Sequence, residues 1–479
     1  MVFALHHLSA QEQWDWVHRG DATVVELVEH ALGRIAELDP RLGAFARVDG
    51  DRARERAAAL DATGPGAAPL AGVPTAEKEL ARRAGTRSGS GSRLLADAFA
   101  TRSDRIVDAL DATGAVSLGA TTSPEFGLTG FSEPAGRAPV RNPWDVSLGA
   151  GGSSGGAAAA VAAGLVAFAV GSDGGGSVRI PAASCGVVGL KPTRGLVPAQ
   201  GGQDSFAGLV SAGPIARTVA DAAMVLDALA DPTGRRRRPV FATAPPTDRD
   251  AGPLLGAAIR GEGRFSVGVL RSSVWDDAVD IRIDPECAGA LDRAVAAIAD
   301  LDHGLEEVAL PGERYPELFR VLWQASAAAI PASTPEELAL LEPYTRAVLE
   351  RGRALPVPTV LEALAAAAAF ERRTIAAFDP FDVVLTPALA LPPMPLGWFT
   401  FDPDPDVVFD RQVQAAPFSS FVNVAGLPAV TVPVGATDTG RPAGVQLIGR
   451  PGGEAAMLSL ARQLERRFGW PHRHPPAFW

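Results

Sequence analysis

The sequence predicts an α/β fold with a substantial β-sheet. Three observations predict it. Short apolar runs alternate with helical segments along the whole chain. The 479 residues are 47% hydrophobic and 21% charged, an ordinary globular balance with enough apolar mass for a large core. No internal repeat interrupts the alternation.

The elements follow in order. Ser9 with Glu12, and Thr23 with Glu26, have the spacing of a capping box. The second opens a helix over 24–38, stopped at Asp39-Pro40. A further helix spans 52–60. Gly72 and Pro74 mark a turn onto an apolar strand or loop that carries Lys78. A helix at 105–113 precedes a buried strand at 115–119. A Gly/Ser-rich core runs from Gly149 to Pro192. Within it, 157–163 is apolar all round and reads as a short buried helix, and 165–170 as a buried strand. An amphipathic helix at 218–229 comes next. The tract from Arg235 to Pro253, rich in Pro and Asp, reads as a long loop. Then come a strand at 264–270, a helix at 285–301, a helix at 361–378 and a strand at 382–386 ended by Pro387. Strands at 430–434 and 444–448 and a helix at 454–468 close the chain.

Charge and cysteine usage exclude several classes. A net charge of −11 argues against general nucleic-acid binding, and the one basic run, Arg235–Arg238, sits in a Pro-rich loop. Two cysteines, Cys185 and Cys287, make no disulfide framework, which points to a reducing, cytoplasmic setting. The N-terminal residues lack the basic-then-apolar pattern of a secretory signal. The uncharged stretch from Val146 to Ser172 is broken by glycines and falls short of the ~20 residues a membrane span needs, so no membrane partner is expected.

Two Gly/Ser clusters carry the chemistry: "GGSSGG" at 151–156 and "GSDGGGSVR" at 171–179. Glycine-rich loops present successive backbone N–H groups to an anion. Phosphate binding would usually add a Gly-Lys-Ser/Thr ending or a GxGxxG, and neither is present. An oxyanion hole beside a nucleophilic serine fits better. The usual base for such a serine is His, but the seven histidines (6, 7, 18, 30, 303, 472 and 474) leave 31–302 empty. Gly151-x-Ser153-x-Gly155 matches the hydrolase elbow pattern, yet no suitable histidine follows it.

Lysine offers another base. The chain has 44 basic residues, of which only Lys78 and Lys191 are lysines, the other 42 being arginines. A lone lysine is ordinarily a surface charge, but here Arg serves nearly every such position. Arg keeps its proton, whereas a buried Lys gives it up. A free lysine is neutral only about once in a few thousand at pH 7, and burial raises that share. The flanks of Lys78 are apolar, although Glu77 and Glu79 would oppose deprotonation if they faced it.

The sequence resembles the amidase signature family. "AGVPTAEKE", "TTSPEFG", "RNPWD", "GAGGSSGGAAAAVAAG", "GSDGGGSVRIPAASCGVVGLKPTRG", "GPIARTVADAA", "DVVLTPAL", "FVNVAGLPAVTVPVG" and "GVQLIGRPGGEAAML" follow in the family's order over about residues 20–465. The resemblance implies a three-layer α/β/α sandwich around a large mixed sheet. It implies one domain over 1–479, with a helical part at about 1–65 and a core at about 66–230 joined by about 380–470.

The resemblance also implies roles. Ser177 matches the acylated nucleophile, Ser153 the bridging serine that follows a cis peptide bond, and Lys78 the catalytic lysine. Gly174, Gly175, Gly176 and Ser177 match the backbone donors of the oxyanion hole. Ser154, Asp173 and Arg179 fall where polar groups hold the loop, and Gly127 and Leu128 where a wall of the substrate pocket stands. Other walls are expected from 128–140, 315–345 and 395–415. Lys191 reads as structural, in a turn set by Pro192 and Gly195. Departures from the family pattern are Glu79 for Asp, Thr122 for Asn, Ala157 for Ser, and Gly174 for Ile or Thr.

The implied reaction is hydrolysis of a linear, aryl or cyclic carboxylic amide, with a small-molecule substrate, no metal and no organic cofactor. A homodimer is left open. Parts of the middle of the chain resemble bacterial amidases of linear and cyclic amides, including nylon-oligomer hydrolases. The rivals are the glutaminase component of a tRNA-dependent amidotransferase and a non-catalytic binding scaffold. Asp402-x-Asp404-x-Asp406 is set aside as a calcium loop because Val407 stands where Gly is required, and His472 with His474 is too few ligands for a metal.

Overall fold

The structure, a computed structural model, describes residues 4–197, 206–230 and 253–479. The basic run Arg235–Arg238 and nearly all of the expected loop around it lie outside the described residues, as does part of the tract after "KPTRG".

The strands are β1 (Phe45–Val48), β2 (Pro74–Lys78), β3 (Val116–Thr121), β4 (Arg141–Asn142), β5 (Asp145–Gly149), β6 (Phe168–Asp173), β7 (Val188–Lys191), β8 (Ser211–Ala216), β9 (Ser266–Val269), β10 (Gly304–Glu307), β11 (Val383–Pro387), β12 (Ala429–Ala436) and β13 (Pro442–Gly449). Eleven form one sheet in the order β1-β3-β2-β6-β8-β7-β12-β13-β11-β9-β10, while β4 and β5 pair separately. The sheet is mixed. β3, β2 and β6 run parallel, as do β11, β9 and β10, and an antiparallel block from β8 to β13 separates the two sets.

Strand alternation builds the layers. On β6, Phe168 and Val170 join the cluster under the helices Val219–Leu229 and Glu454–Phe468, while Ala169 joins the opposite cluster with the helices Val24–Leu38 and Gly155–Ala162. The sheet is thus sandwiched between helical layers, the α/β/α arrangement expected. The helix Gly155–Ala162 is buried along its whole length, which its unbroken small apolar sequence permits.

The expected elements are present with small shifts. Both capping boxes form, and Val24–Leu38 and Glu454–Phe468 have the expected ends. The strand expected at 165–170 lies at Phe168–Asp173, because Gly164 and Leu165 close the preceding helix. Lys191 ends β7 rather than sitting in the turn, and is buried. The acidic run is used up locally: Asp404 caps the helix Pro405–Ala415 and Asp406 pairs with Arg351 at 2.6 Å. Among the described residues, no cluster of His, Cys, Asp or Glu has metal-holding geometry. No single described helix is long and apolar enough to cross a membrane; Pro343–Ala354 and Val357–Phe378 reach that length only as a pair bent by 102°.

Candidate active site

The site forms at the carboxyl ends of the parallel strands β2 and β6, where open α/β sheets commonly bind ligands. Lys78 is the last residue of β2 and is only 2% exposed. Its Nζ donates to Ser153 Oγ at 2.6 Å, and lies 3.3 Å from Ser172 Oγ and 3.4 Å from Ser172 O on β6. Burial pulls its pKa down to about 7, partly countered by the negative charges of Asp173 and Glu79. The neighbouring acids are otherwise engaged. Glu77, on the other face of the strand, pairs with Arg83 at 2.6 Å, and Glu79 with Arg137 at 3.0 Å.

Ser153 comes from the first glycine cluster, between β5 and the helix Gly155–Ala162. The Gly152–Ser153 peptide is cis. Gly127 lies beside Ser153. Its φ is +68°, and a Cβ there would stand 2.6 Å from Leu80 Cδ1 and 3.3 Å from Ser153 Oγ, so only glycine fits.

Ser177 comes from the second cluster, which leaves β6 at Asp173. The Asp173 carboxylate organises this loop. It accepts the N–H groups of Gly176 at 2.8 Å and Val178 at 3.0 Å, and grips Arg179 through Nε at 3.0 Å and Nη2 at 2.9 Å. Arg179 also reaches Gln446 and Asn423, both at 2.6 Å, and Asn423 donates back to Asp173. The Arg179 guanidinium holds the buried Asp173 carboxyl well below the usual carboxylate range, against the opposing effect of burial. Ser154 N–H donates to Ser177 O at 3.0 Å and stitches the two clusters together.

Two details differ from the expected site. Gly176 N–H is already held by Asp173 Oδ1, which leaves the amides of Gly174, Gly175 and Ser177 for an oxyanion. The Lys78–Ser153 hydrogen bond is made, but among the described residues the Ser153 and Ser177 hydroxyls make none with each other. Lys78, Ser153 and Ser177 nevertheless line one cavity of about 570 Å³, with Gly127, Leu128 and Gly174. A second, smaller cavity shares Gly127, Leu128, Ser177 and Trp323 with it.

The expected wall segments reach these cavities through Leu128, Phe319, Trp323, Tyr344, Phe399 and Phe409. Trp275, Met394, Phe206 and Val210 were not foreseen, nor were Asn423 and Gln446 beside Arg179. Asn423 and Gln446 were legible only as motif residues in "FVNVAG" and "GVQLIG", with nothing to say that they turn inward. A lysine base, a serine hydroxyl bridge, a second serine and free backbone amides together can perform acyl transfer without histidine.

Known proteins bear on this arrangement. The Amidase family model matches residues 26–458. "Putative amidase AmiB2" of Mycobacterium tuberculosis (strain ATCC 25618 / H37Rv) is 36% identical over 467 residues, 95% of each chain. A glutamyl-tRNA(Gln) amidotransferase subunit from Nitratidesulfovibrio vulgaris (strain DP4) is 34% identical, covering 97% of each chain. Among solved structures, 6-aminohexanoate cyclic dimer hydrolase complexed with substrate superposes with a TM-score of 0.89 at 28% identity, over 99% of this chain and 100% of that one. A bacterial aryl acylamidase of the amidase signature enzymes superposes with a TM-score of 0.85 at 27% identity, over 97% of each. A family match over nearly the whole length, on a shared fold, makes this chain a member of the amidase signature family.

Proposed function

We propose that the protein hydrolyses a small carboxylic amide through an ester on Ser177. The observation that carries this reading is the buried Lys78 amine, 2.6 Å from Ser153 Oγ, with its pKa down to about 7. At neutral pH a large share of such a lysine is the free amine and accepts a proton.

Lys78 takes the Ser153 proton as Ser153 takes that of Ser177, and Ser177 Oγ attacks the carbonyl carbon. The amides of Gly174, Gly175 and Ser177 receive the oxyanion. The C–N bond breaks as the proton returns through Ser153 to the leaving nitrogen. Water, deprotonated by the same relay, attacks the ester and releases the acid, and the proton returns to Ser177. The Ser153–Ser177 contact closes when substrate is seated, as catalytic hydrogen bonds often do. Ser154, Asp173 and Arg179 hold the loop, and Gly127 and Leu128 wall the pocket. No metal or organic cofactor enters the scheme.

The single chain acts alone on this reading; a homodimer is compatible with it. Two unpaired cysteines support a cytoplasmic setting. The amidotransferase relatives favour one second reading, a glutaminase working with partner subunits. Against it, Ile180 follows "GGSVR", and the sequence after "KPTRG" departs from that glutaminase's usual run. The test is the purified chain on a panel of aliphatic, aryl and cyclic amides, with fluorophosphonate labelling. Hydrolysis without partners, and one label on the Ser177 peptide that Ser177→Ala removes, are expected. Labelling that survives Ser177→Ala overturns the assignment. Turnover of glutamine alone favours the glutaminase.

A further inference from the structure

The backbone does not require a glycine at position 174. Gly176, two residues on, has a φ of +127°, and a Cβ there would stand 2.4 Å from Ser419 Oγ, so that position needs glycine. Gly174 has no such constraint. Its φ lies outside the left-handed region, and the nearest neighbours of a Cβ would be Val210 Cγ2 at 3.2 Å and the Trp323 ring at 3.7 and 3.9 Å. A methyl fits there after a small shift of Val210. A longer or branched side chain would fill the gap between Val210 and Trp323. All three residues line the larger cavity, and Trp323 is held in place by stacking on Phe319 at 5.5 Å and 16°. The missing side chain therefore leaves space directly beside an oxyanion amide.

The proton relay decides which half of a substrate uses this space. Lys78 and Ser153 line the larger cavity and not the smaller one. The proton for the leaving nitrogen arrives from Ser153, so the amine half lies on that side. The cavity holds about 570 Å³, several times the ~150 Å³ that accepts benzene. Its other walls include Leu80, Phe126, Leu209 and Ile330. Among the described residues, its charged side chains are Lys78 and Glu77 alone. Both Glu77 oxygens are engaged, by Arg83 at 2.6 and 3.2 Å and by Ser117 at 2.5 Å. Nothing among these walls compensates a charge on the amine half.

We infer that Gly174 sets the size of the amine half: the group on the amide nitrogen is bulky, apolar and uncharged, and it lies over Gly174 between Val210 and Trp323. The inference rests on the reading of Ser177 as the acylated residue and deepens it by naming the substrate class, a secondary amide of an apolar amine. It makes Gly174 a specificity residue through the side chain it lacks, apart from the N–H it offers to an oxyanion. It also separates this protein from a glutaminase, whose leaving group is ammonia and needs no such space.

The test is a series of butanoyl amides that differ only on the nitrogen: unsubstituted, methyl, butyl, benzyl and naphthylmethyl. A second series of primary amides carries the ring on the acyl half instead. Wild-type kcat/KM is expected to favour the N-benzyl over the unsubstituted amide by at least about tenfold, as filling an apolar pocket allows. Gly174→Ile, checked for an intact thermal transition, should cut that ratio by at least about tenfold and change the acyl-series ratio by less than about threefold. Ratios are taken within each variant, so a loss at the oxyanion amides common to all substrates cancels. Val210→Ala added to Gly174→Ile should recover part of the ratio, which a general disturbance of the loop would not permit. A wild-type preference for the unsubstituted amide, an unchanged N-benzyl ratio in Gly174→Ile, no recovery with Val210→Ala, or an equal fall in the acyl series overturns the inference. The wild-type comparison stands even if the variant does not fold. Fluorophosphonate labelling at Ser177 without turnover of any N-substituted amide overturns this inference alone, and loss of labelling overturns the Ser177 reading as well.

Discussion

Asp173 and Arg179 form an ion pair sealed from solvent, at 0% and 1% side-chain exposure, and the loop that carries Ser177 is folded around it. Two N–H groups of Arg179 meet the two carboxylate oxygens, and the same oxygens accept the amides of Gly176 and Val178 on either side of Ser177. A pair this buried stabilises through its completeness, because removing one partner strands the other. Arg179→Met is expected to destabilise the protein by about 3–5 kcal/mol in urea unfolding. A melt within about 0.5 kcal/mol of wild type, an ordinary surface-level effect, would show the pair to be dispensable.

Gly127→Ala tests how tightly Ser153 is held. The added methyl meets Leu80 Cδ1 at 2.6 Å and approaches Ser153 Oγ at 3.3 Å, at a φ of +68° that alanine resists. A displacement of about 1 Å at a catalytic group costs about a hundredfold, so kcat/KM should fall by roughly that factor. Leu80→Ala in the same chain should recover part of the loss. Full activity in Gly127→Ala would mean that Ser153 tolerates movement.

The two lysines predict a pH dependence of stability. Burial lowers both Lys78 and Lys191 from 10.5 to about 7. Between those values the unfolded chain holds protons that the folded chain has released, so stability rises with pH from about 7 to 10.5. Below about 7 the folded protein carries the full penalty of two buried ammonium groups. Lys191 offsets it with one hydrogen bond, to Pro192 O at 2.8 Å. Lys191→Met and Lys78→Met should each raise the melting temperature at pH 6, with a gain that shrinks as pH approaches 10. Lys191→Met should keep hydrolysis and Lys78→Met should lose it. A flat pH profile of stability in wild type would contradict the burial of both charges.

Much of this was legible in the sequence, for identifiable reasons. Ser9, Glu12, Thr23 and Glu26 announce helix starts through local hydrogen bonds, which need no tertiary context. The all-apolar run at 157–163 announces a buried helix in the same way. Helices at Tyr315–Ala327 and Pro343–Ala354 were not assigned, because their apolar faces pack on each other and on further helices that sequence alone does not bring together. Lys78, Ser153 and Ser177 came from motif resemblance and the scarcity of lysine. The capture of Gly176 N–H by Asp173 was not readable, since a backbone amide leaves no trace in a one-letter code. Tyr344 falls in the wall segment expected at 315–345, but nothing in the sequence singles it out from its neighbours there.

In the proposed mechanism Lys78 acts as a base rather than as a buried cation, and Lys78→Arg separates the two. A guanidinium keeps the positive charge and cannot accept a proton. Alongside Lys78→Ala and a thermal melt that confirms folding, the Arg variant should lose at least about 10²–10⁴ of kcat/KM, as removal of a general base requires. A folded Lys78→Arg protein that keeps near-normal amide hydrolysis across about pH 6–9 would contradict the mechanism.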